Sequence, residues 1–217
     1  SFFIFLNEII NQINWTVDTT LLGIISGTAA TAIYGVGSQI NQYYMALSTS
    51  ISGVFTPQIN RIVARGEGDE HLTRLFTRVG RIQFMLLMLV LTGFVFVGEP
   101  FICAWGGEEY GAAYWIALLL IAPVTVPLIQ NIGIEIQRAK NMHQFRSKVY
   151  FCMAIGNALV SIPLGMKFGG IGCALGTAIS MVVGNGFIMN WYYQTHIGLD
   201  MRYFWKHILS IVPAMLP

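Results

Sequence analysis

Asn7, Asn11, Asn14 and Asp18 interrupt a strongly apolar stretch, and their spacing of i, i+4, i+7 and i+11 puts all four on one face of a helix. Amides and a carboxylate in such a place offer hydrogen bonds to a hydrated substrate or a charge to a coupling ion. Inside a membrane each ionised group costs roughly 2.5 to 3.5 kcal/mol at the helix centre, so the stripe must face protein or water. Asp18 is the sharpest candidate for ion coupling, the alternative being a position near the far interface. A second stripe follows with Tyr34, Ser38, Asn41, Met45, Ser48 and Ser52. Two neighbouring helices with polar faces are what the walls of a hydrophilic cavity require. Farther on, Asn131, Glu135 and Arg138 share a face below Pro123 and Pro127, prolines that bend or loosen a helix. Each feature has a plainer alternative. Asn and Ser in membrane helices also bond neighbouring helices, at about 0.6 kcal/mol a pair, and Glu135 with Arg138 at i+3 fits an ion pair at a helix end.

The elements that hold these residues are apolar and long. The composition is 55% hydrophobic and 10% charged, against about 25% charged in a typical soluble domain. Mean hydropathy is +0.62. A hydrocarbon core of about 30 Å needs about 20 helical residues, which places spans at about residues 2–26, 28–63, 82–103, 112–137, 149–166 and 171–193. Ser26-Gly27-Thr28 and Lys167-Phe168-Gly169-Gly170 supply turns between consecutive spans. Threaded in this way, eleven of the twelve basic residues fall on one side, with only Lys167 opposite. They cluster as Arg61, Arg65, Arg74, Arg78 and Arg81, then Arg138, Lys140, Arg146 and Lys148, then Arg202 and Lys206. By the positive-inside rule these clusters are cytoplasmic. Residues 1–199 are expected to form a six-helix lobe, and 200–217 a cytoplasmic loop with the start of a further helix. The chain opens inside one apolar segment and closes partway through another. The expectation is a piece of a longer membrane protein, the alternative being a complete seven-helix one.

Several functions are disfavoured. The net charge of +2 is modest and no base-reading module is present, so no nucleic-acid partner is expected. His71, His143, His196 and His207 stand apart without metal-ligand spacing, and no nucleophile or zinc motif occurs. Cys103, Cys152 and Cys173 are odd in number and lie in or beside apolar runs, as free thiols do. No catalytic residue, metal or cofactor is expected. Gly172, Gly176, Ser180 and Gly184 form a small-residue ladder suited to close helix packing, and the glycine-rich turn before it lacks the context of a phosphate loop.

The run Asp18-Thr19-Thr20-Leu21-Leu22-Gly23, with Ala32-Ile33-Tyr34-Gly35-Val36 and Pro57-Gln58-Ile59, resembles the seventh and eighth helices of bacterial polysaccharide flippases of the O-antigen type. Gly169-Gly170-Ile171-Gly172-Cys173-Ala174-Leu175-Gly176-Thr177-Ala178-Ile179-Ser180 is similar to their hairpin between helices eleven and twelve. The resemblance implies an all-α, polytopic membrane bundle of the multidrug, oligosaccharidyl-lipid and polysaccharide exporter superfamily. This chain would be its C-terminal six-helix lobe plus the start of a further helix. The missing N-terminal lobe of the same chain would face it across a central cavity.

The implied function is flipping of an undecaprenyl-diphosphate-linked oligosaccharide across the bacterial cytoplasmic membrane by alternating access, with membrane lipids as surroundings. Asn7, Asn11, Asn14, Asp18, Tyr34, Ser38, Asn41 and Asn131 would line the cavity, and Asp18 and Glu135 would couple ions. One departure stands out: such flippases are expected to carry basic residues in the cavity, whereas here every Arg and Lys lies at a segment end. Either those charges belong to the missing lobe or the substrate differs, as in a cation-coupled multidrug antiporter. A membrane-embedded glycan-modifying enzyme is a more distant alternative, and a purely structural assembly role is a third.

Overall fold

The computed structural model describes residues 19–20, 22–24, 26–142 and 144–215. Asn7, Asn11, Asn14 and Asp18 lie outside the described residues. All regular elements among the described residues are helical, and the chain is an all-α, polytopic membrane bundle. Helix α1 is Gly27–Arg65, α2 Asp69–Gly106, α3 Ala112–Ile129, α4 Asn131–Ala139 and α5 Gln144–Met181. Helical winding continues past α5 through wider π-type turns at Val182–Met189 and Tyr193–Ile197, before α6 (Met201–Leu209) and α7 (Val212–Met215).

Among the described residues three helical stretches are long and apolar enough to cross a membrane: Asp69–Gly106, Glu108–Ile129 and Gln144–Ile197. The last is folded in two. Gly169, at φ 59° and ψ −136°, takes a conformation that only glycine adopts without strain, and the chain reverses there. Beyond it Gly172 packs on Leu164, Gly176 on Ser161 and Gly184 on Met153, the register of an antiparallel pair. Helix α1, 39 residues long, is left out of the apolar set because its polar stripe lowers its hydropathy.

That stripe has a structural destination. Tyr34, Ser38, Asn41, Tyr44, Ser48 and Ser52 are the buried face of α1, which packs on α3. Gly37 permits the approach, since a Cβ there would stand 2.8 Å from Ile116 Cγ2 and 3.0 Å from the Ala113 carbonyl oxygen. Helix α3 is consequently the most enclosed of the apolar stretches, with 56% of its apolar window buried against 17% for α2. Helices α1 and α2 are joined by a turn in which Gly66 and Gly68 take positive φ, and Asp69 and Glu70 open α2 where negative charge suits the helix dipole. Asp200 caps α6 by accepting from the Arg202 and Tyr203 amides, and Phe204 then packs at a tilt against Phe76 of α2 over the space left by Gly80.

The hairpin around Gly169 depends on side chains being absent. Gly176→Val should cost about 1 to 3 kcal/mol through overlap with the Ser161 backbone, read as a lower melting temperature in detergent. A variant as stable as the parent would contradict this packing.

Candidate functional site

The apolar stretch that begins at Ala112 does not run unbroken to Ala139. Pro123 and Pro127 lack amide hydrogens, so the carbonyls one turn earlier lose their helical donors. Winding fails at Gln130 (φ −103°, ψ 10°), where tighter bonds replace the α pattern: Gln130 N donates to Pro127 O at 3.2 Å and Gly133 N to Gln130 O at 2.8 Å. Ser48 of α1 donates to the Leu128 carbonyl at 2.9 Å. The expected span at about 112–137 is thus two helices, α3 and α4, with their junction buried in protein.

Opposite this junction lies the π-type segment Val182–Met189. Asn190 mends its loosened backbone, its amide nitrogen donating to Asn185 O at 2.8 Å and Gly186 O at 3.0 Å. The Asn190 side-chain oxygen accepts from Gln130 Nε2 at 3.1 Å and from Trp205 Nε1 at 2.8 Å. One asparagine therefore ties the broken helix, the π segment and α6 together. Irregular turns of both kinds are frequent where membrane proteins bind ligands.

Between the two irregular segments is a cavity of about 260 Å³. Met45 and Thr49 of α1 form one wall, Pro127 and Asn131 another, and the two arms of the folded helix the rest. On the arm before Gly169, Arg146, Tyr150, Met153 and Asn157 share a face at i, i+4, i+7 and i+11 and all reach the cavity. Arg146 Nη2 donates to the Tyr150 hydroxyl at 3.1 Å, and Tyr150 donates in turn to Asn185 Oδ1 at 2.9 Å. The guanidinium carbon lies 4.6 Å from the Tyr150 ring centre. Arg146 Nη1 is buried and has no hydrogen-bond partner. The ion pairs among the described residues join Arg65 to Glu67, Arg74 to Glu70, Arg138 to Glu135 and Lys140 to Asp69, and none neutralises Arg146. Deeper in, the Asn157 side-chain oxygen accepts from Ser161 at 2.9 Å and Thr177 at 3.2 Å. An unneutralised guanidinium at the edge of an amide- and hydroxyl-lined hollow is suited to an anionic group carrying neutral polar substituents.

The residues singled out from sequence separate into three groups. Asn131 lines the cavity. Tyr34, Ser38 and Asn41 do not line it; they are 1%, 6% and 0% exposed on the α1 face turned to α3. Glu135 lies outside it as well, bonded to Arg138 at 2.9 Å and accepting from Thr56 at 3.4 Å. The lower part of the α1 stripe builds a packing network. Gln83 Nε2 of α2 donates to Ser48 O at 3.1 Å and to Ser52 Oγ at 2.7 Å, and the Tyr44 hydroxyl meets Thr125 at 2.8 Å. Arg146 does sit near a helix end, as every basic residue was expected to, yet its side chain enters the cavity. The Arg146-Tyr150-Asn157 spacing was as legible as that of Asn7-Asn11-Asp18, but sequence reading assigned Arg146 to topology alone.

The profile of a family described as polysaccharide biosynthesis protein matches residues 1–115, just over half of the chain. A curated relative, the probable flippase AglR of Haloferax volcanii, is 26% identical over 174 residues, which are 78% of this chain and 36% of the relative. The chain thus spans about a third of that protein's length. No solved structure matches.

The geometry separates lining from packing positions in a measurable way. With Cys103, Cys152 and Cys173 replaced, single cysteines at Asn131 and Ser180 should react quickly with a small hydrophilic maleimide, and those at Ser38 and Asn41 should stay protected until the protein is denatured. Equal labelling of all four positions would place the cavity wall elsewhere.

Proposed function

Because the chain belongs to the polysaccharide biosynthesis protein family, we propose that it is part of a membrane flippase carrying an undecaprenyl-diphosphate-linked oligosaccharide across the cytoplasmic membrane by alternating access. The observation that carries this reading is the Arg146 guanidinium, buried at Nη1, unpaired there and facing a cavity inside an apolar bundle. A diphosphate would complete it with charge-assisted hydrogen bonds, the strongest class available to a neutral-pH binding site. Asn131, Ser180 and Asn185 around it match the hydroxyl and acetamido groups of a first sugar, and the Tyr150 ring offers a face for stacking. At about 260 Å³ the cavity lies just below the range of ordinary small-molecule pockets, which fits the diphosphate end of the substrate rather than its whole glycan.

In this proposal the chain is one lobe and a second lobe of the parent protein closes the cavity, with Asn7, Asn11, Asn14 and Asp18 as further lining on the route of the sugars. The basic clusters face the cytoplasm, from which the substrate enters. The break between α3 and α4, held by the Gln130–Asn190 and Ser48–Leu128 bonds, is where a helix can bend as access alternates. The charged side chain lining the described cavity is a cation, and no carboxylate lines it among the described residues, which favours an anionic substrate over a cationic drug.

Leaflet transfer of an undecaprenyl-diphosphate oligosaccharide by the full-length protein in proteoliposomes tests this. Arg146→Gln should slow transfer roughly tenfold or more, the worth of one lost hydrogen bond to a charged group, while Arg146→Lys keeps part of the rate. Unchanged transfer by Arg146→Gln removes the diphosphate from this cavity. No transfer at all, together with cation-driven drug efflux, replaces the flippase by an antiporter.

A further inference from the structure

Arg74, Arg78 and Arg81 recur at i, i+4 and i+7 along α2, so their guanidinium groups share one face. That face and α6 bound a groove of about 250 Å³, separate from the cavity at the broken helix. Its polar end holds the three arginines with Thr77, Tyr203 and His207, and its other end is made by Ile82 and Met85. The groove is a built feature: Phe204 and Ile208 anchor α6 in the core, and His207 Nδ1 lies 2.7 Å from the Tyr203 carbonyl oxygen, which holds the ring at the rim.

Two observations point to a ligand. Arg74 pairs with Glu70, but the ion pairs of the described residues include neither Arg78 nor Arg81. Thr77, which lines the groove, is 3% exposed and its hydroxyl oxygen has no hydrogen-bond partner. The same face of α2 then turns apolar within one turn of Arg81. Ile82, Met85, Leu89 and Phe96 continue it at 41%, 39%, 67% and 67% exposure. Cationic groups directly above an uncovered apolar stripe match the two ends of a lipid at the boundary between headgroups and hydrocarbon.

We propose that the groove between α2 and α6 binds the phosphate headgroup of an anionic phospholipid, held by Arg78, Arg81 and Thr77, with an acyl chain lying along Ile82, Met85 and Leu89. The lipid is a fixed component of the arginine-bearing side of the protein, independent of what the cavity transports. Its phosphate replaces the missing acceptors for Arg78, Arg81 and Thr77, and its chain covers apolar surface that the fold leaves open. Headgroups with net negative charge are preferred, because a zwitterionic headgroup brings its own cation to a site that already holds three.

The test is lipid binding to the full-length protein in detergent by native mass spectrometry, with phosphatidylglycerol and phosphatidylcholine of identical chains. Phosphatidylglycerol should bind the parent in preference, and Arg78→Gln with Arg81→Gln should weaken it roughly thirtyfold, at about 1 kcal/mol for each basic residue near the headgroups. Thr77→Val, a change of similar shape, should weaken it less while leaving the fold intact. In the unaltered parent the preference should shrink as salt is raised. Equal binding of the two lipids, a salt-independent preference, or unchanged phosphatidylglycerol binding in the double variant overturns the proposal. Displacement by inorganic phosphate alone would make this a plain anion site, and displacement by undecaprenyl diphosphate at lower concentration than by phosphatidylglycerol would make it a substrate entry site. Either result also overturns it, and neither bears on Arg146→Gln transfer rates.

Discussion

The Asn190 side chain holds together the two irregular segments on which the cavity depends. Hydrocarbon supplies no hydrogen bonds, so a helix can break inside a membrane only where protein accepts the freed backbone groups. Here the Leu128 carbonyl receives the Ser48 hydroxyl, and Gln130 reaches Asn190, which at the same time bonds the loosened carbonyls of Asn185 and Gly186. Two defects that would each be costly alone are placed face to face and linked through the Gln130–Asn190 side-chain bond. The cavity lies beside them for the same reason, since backbone that departs from α geometry spreads its side chains and leaves room between.

The seam between α1 and α3 makes that arrangement stable. Without a hydrophobic driving force between helices in lipid, close backbone approach and interhelical hydrogen bonds must hold them. Gly37 supplies the first, and Tyr44 with Thr125 and Ser48 with the Leu128 carbonyl the second, while Gln83 of α2 ties Ser48 and Ser52 from the other side. Asn41 is the expense of this design, its amide buried with neither atom bonded. An unmatched buried amide costs about 1 to 3 kcal/mol, and the tight α1–α3 packing around it offsets that.

Polar residues in this bundle thus divide by whether they stand between packed helices or beside a hollow. Ser48, Ser52 and Gln83 are bonded to one another and to backbone, and their work is structural. Arg146 has a donor left over in a hollow, and Thr77 has a hydroxyl left over beside Arg78 and Arg81, which no ion pair among the described residues includes. Residue type does not separate these cases, because serine, asparagine and threonine occur in both. Position does, and it depends on which helix stands opposite.

Local sequence therefore determined the class of the molecule: long apolar segments, basic residues at their ends, a glycine-rich turn at 167–170 and small residues at spacing four. Each follows from one helix meeting lipid, water or a turn, interactions that need no knowledge of neighbours. The polar stripes were equally legible as stripes, since helical periodicity assigns residues to a face. Periodicity leaves open what that face meets. Tertiary structure turned Tyr34, Ser38 and Asn41 into α3, brought Arg146, Asn157 and Asn131 from distant segments around one hollow, and paired Glu135 with Arg138 outside it. It also split the proline-bearing segment at Gln130 rather than merely bending it, at a place where Ser48 takes up the Leu128 carbonyl and Asn190 holds the Gln130 side chain.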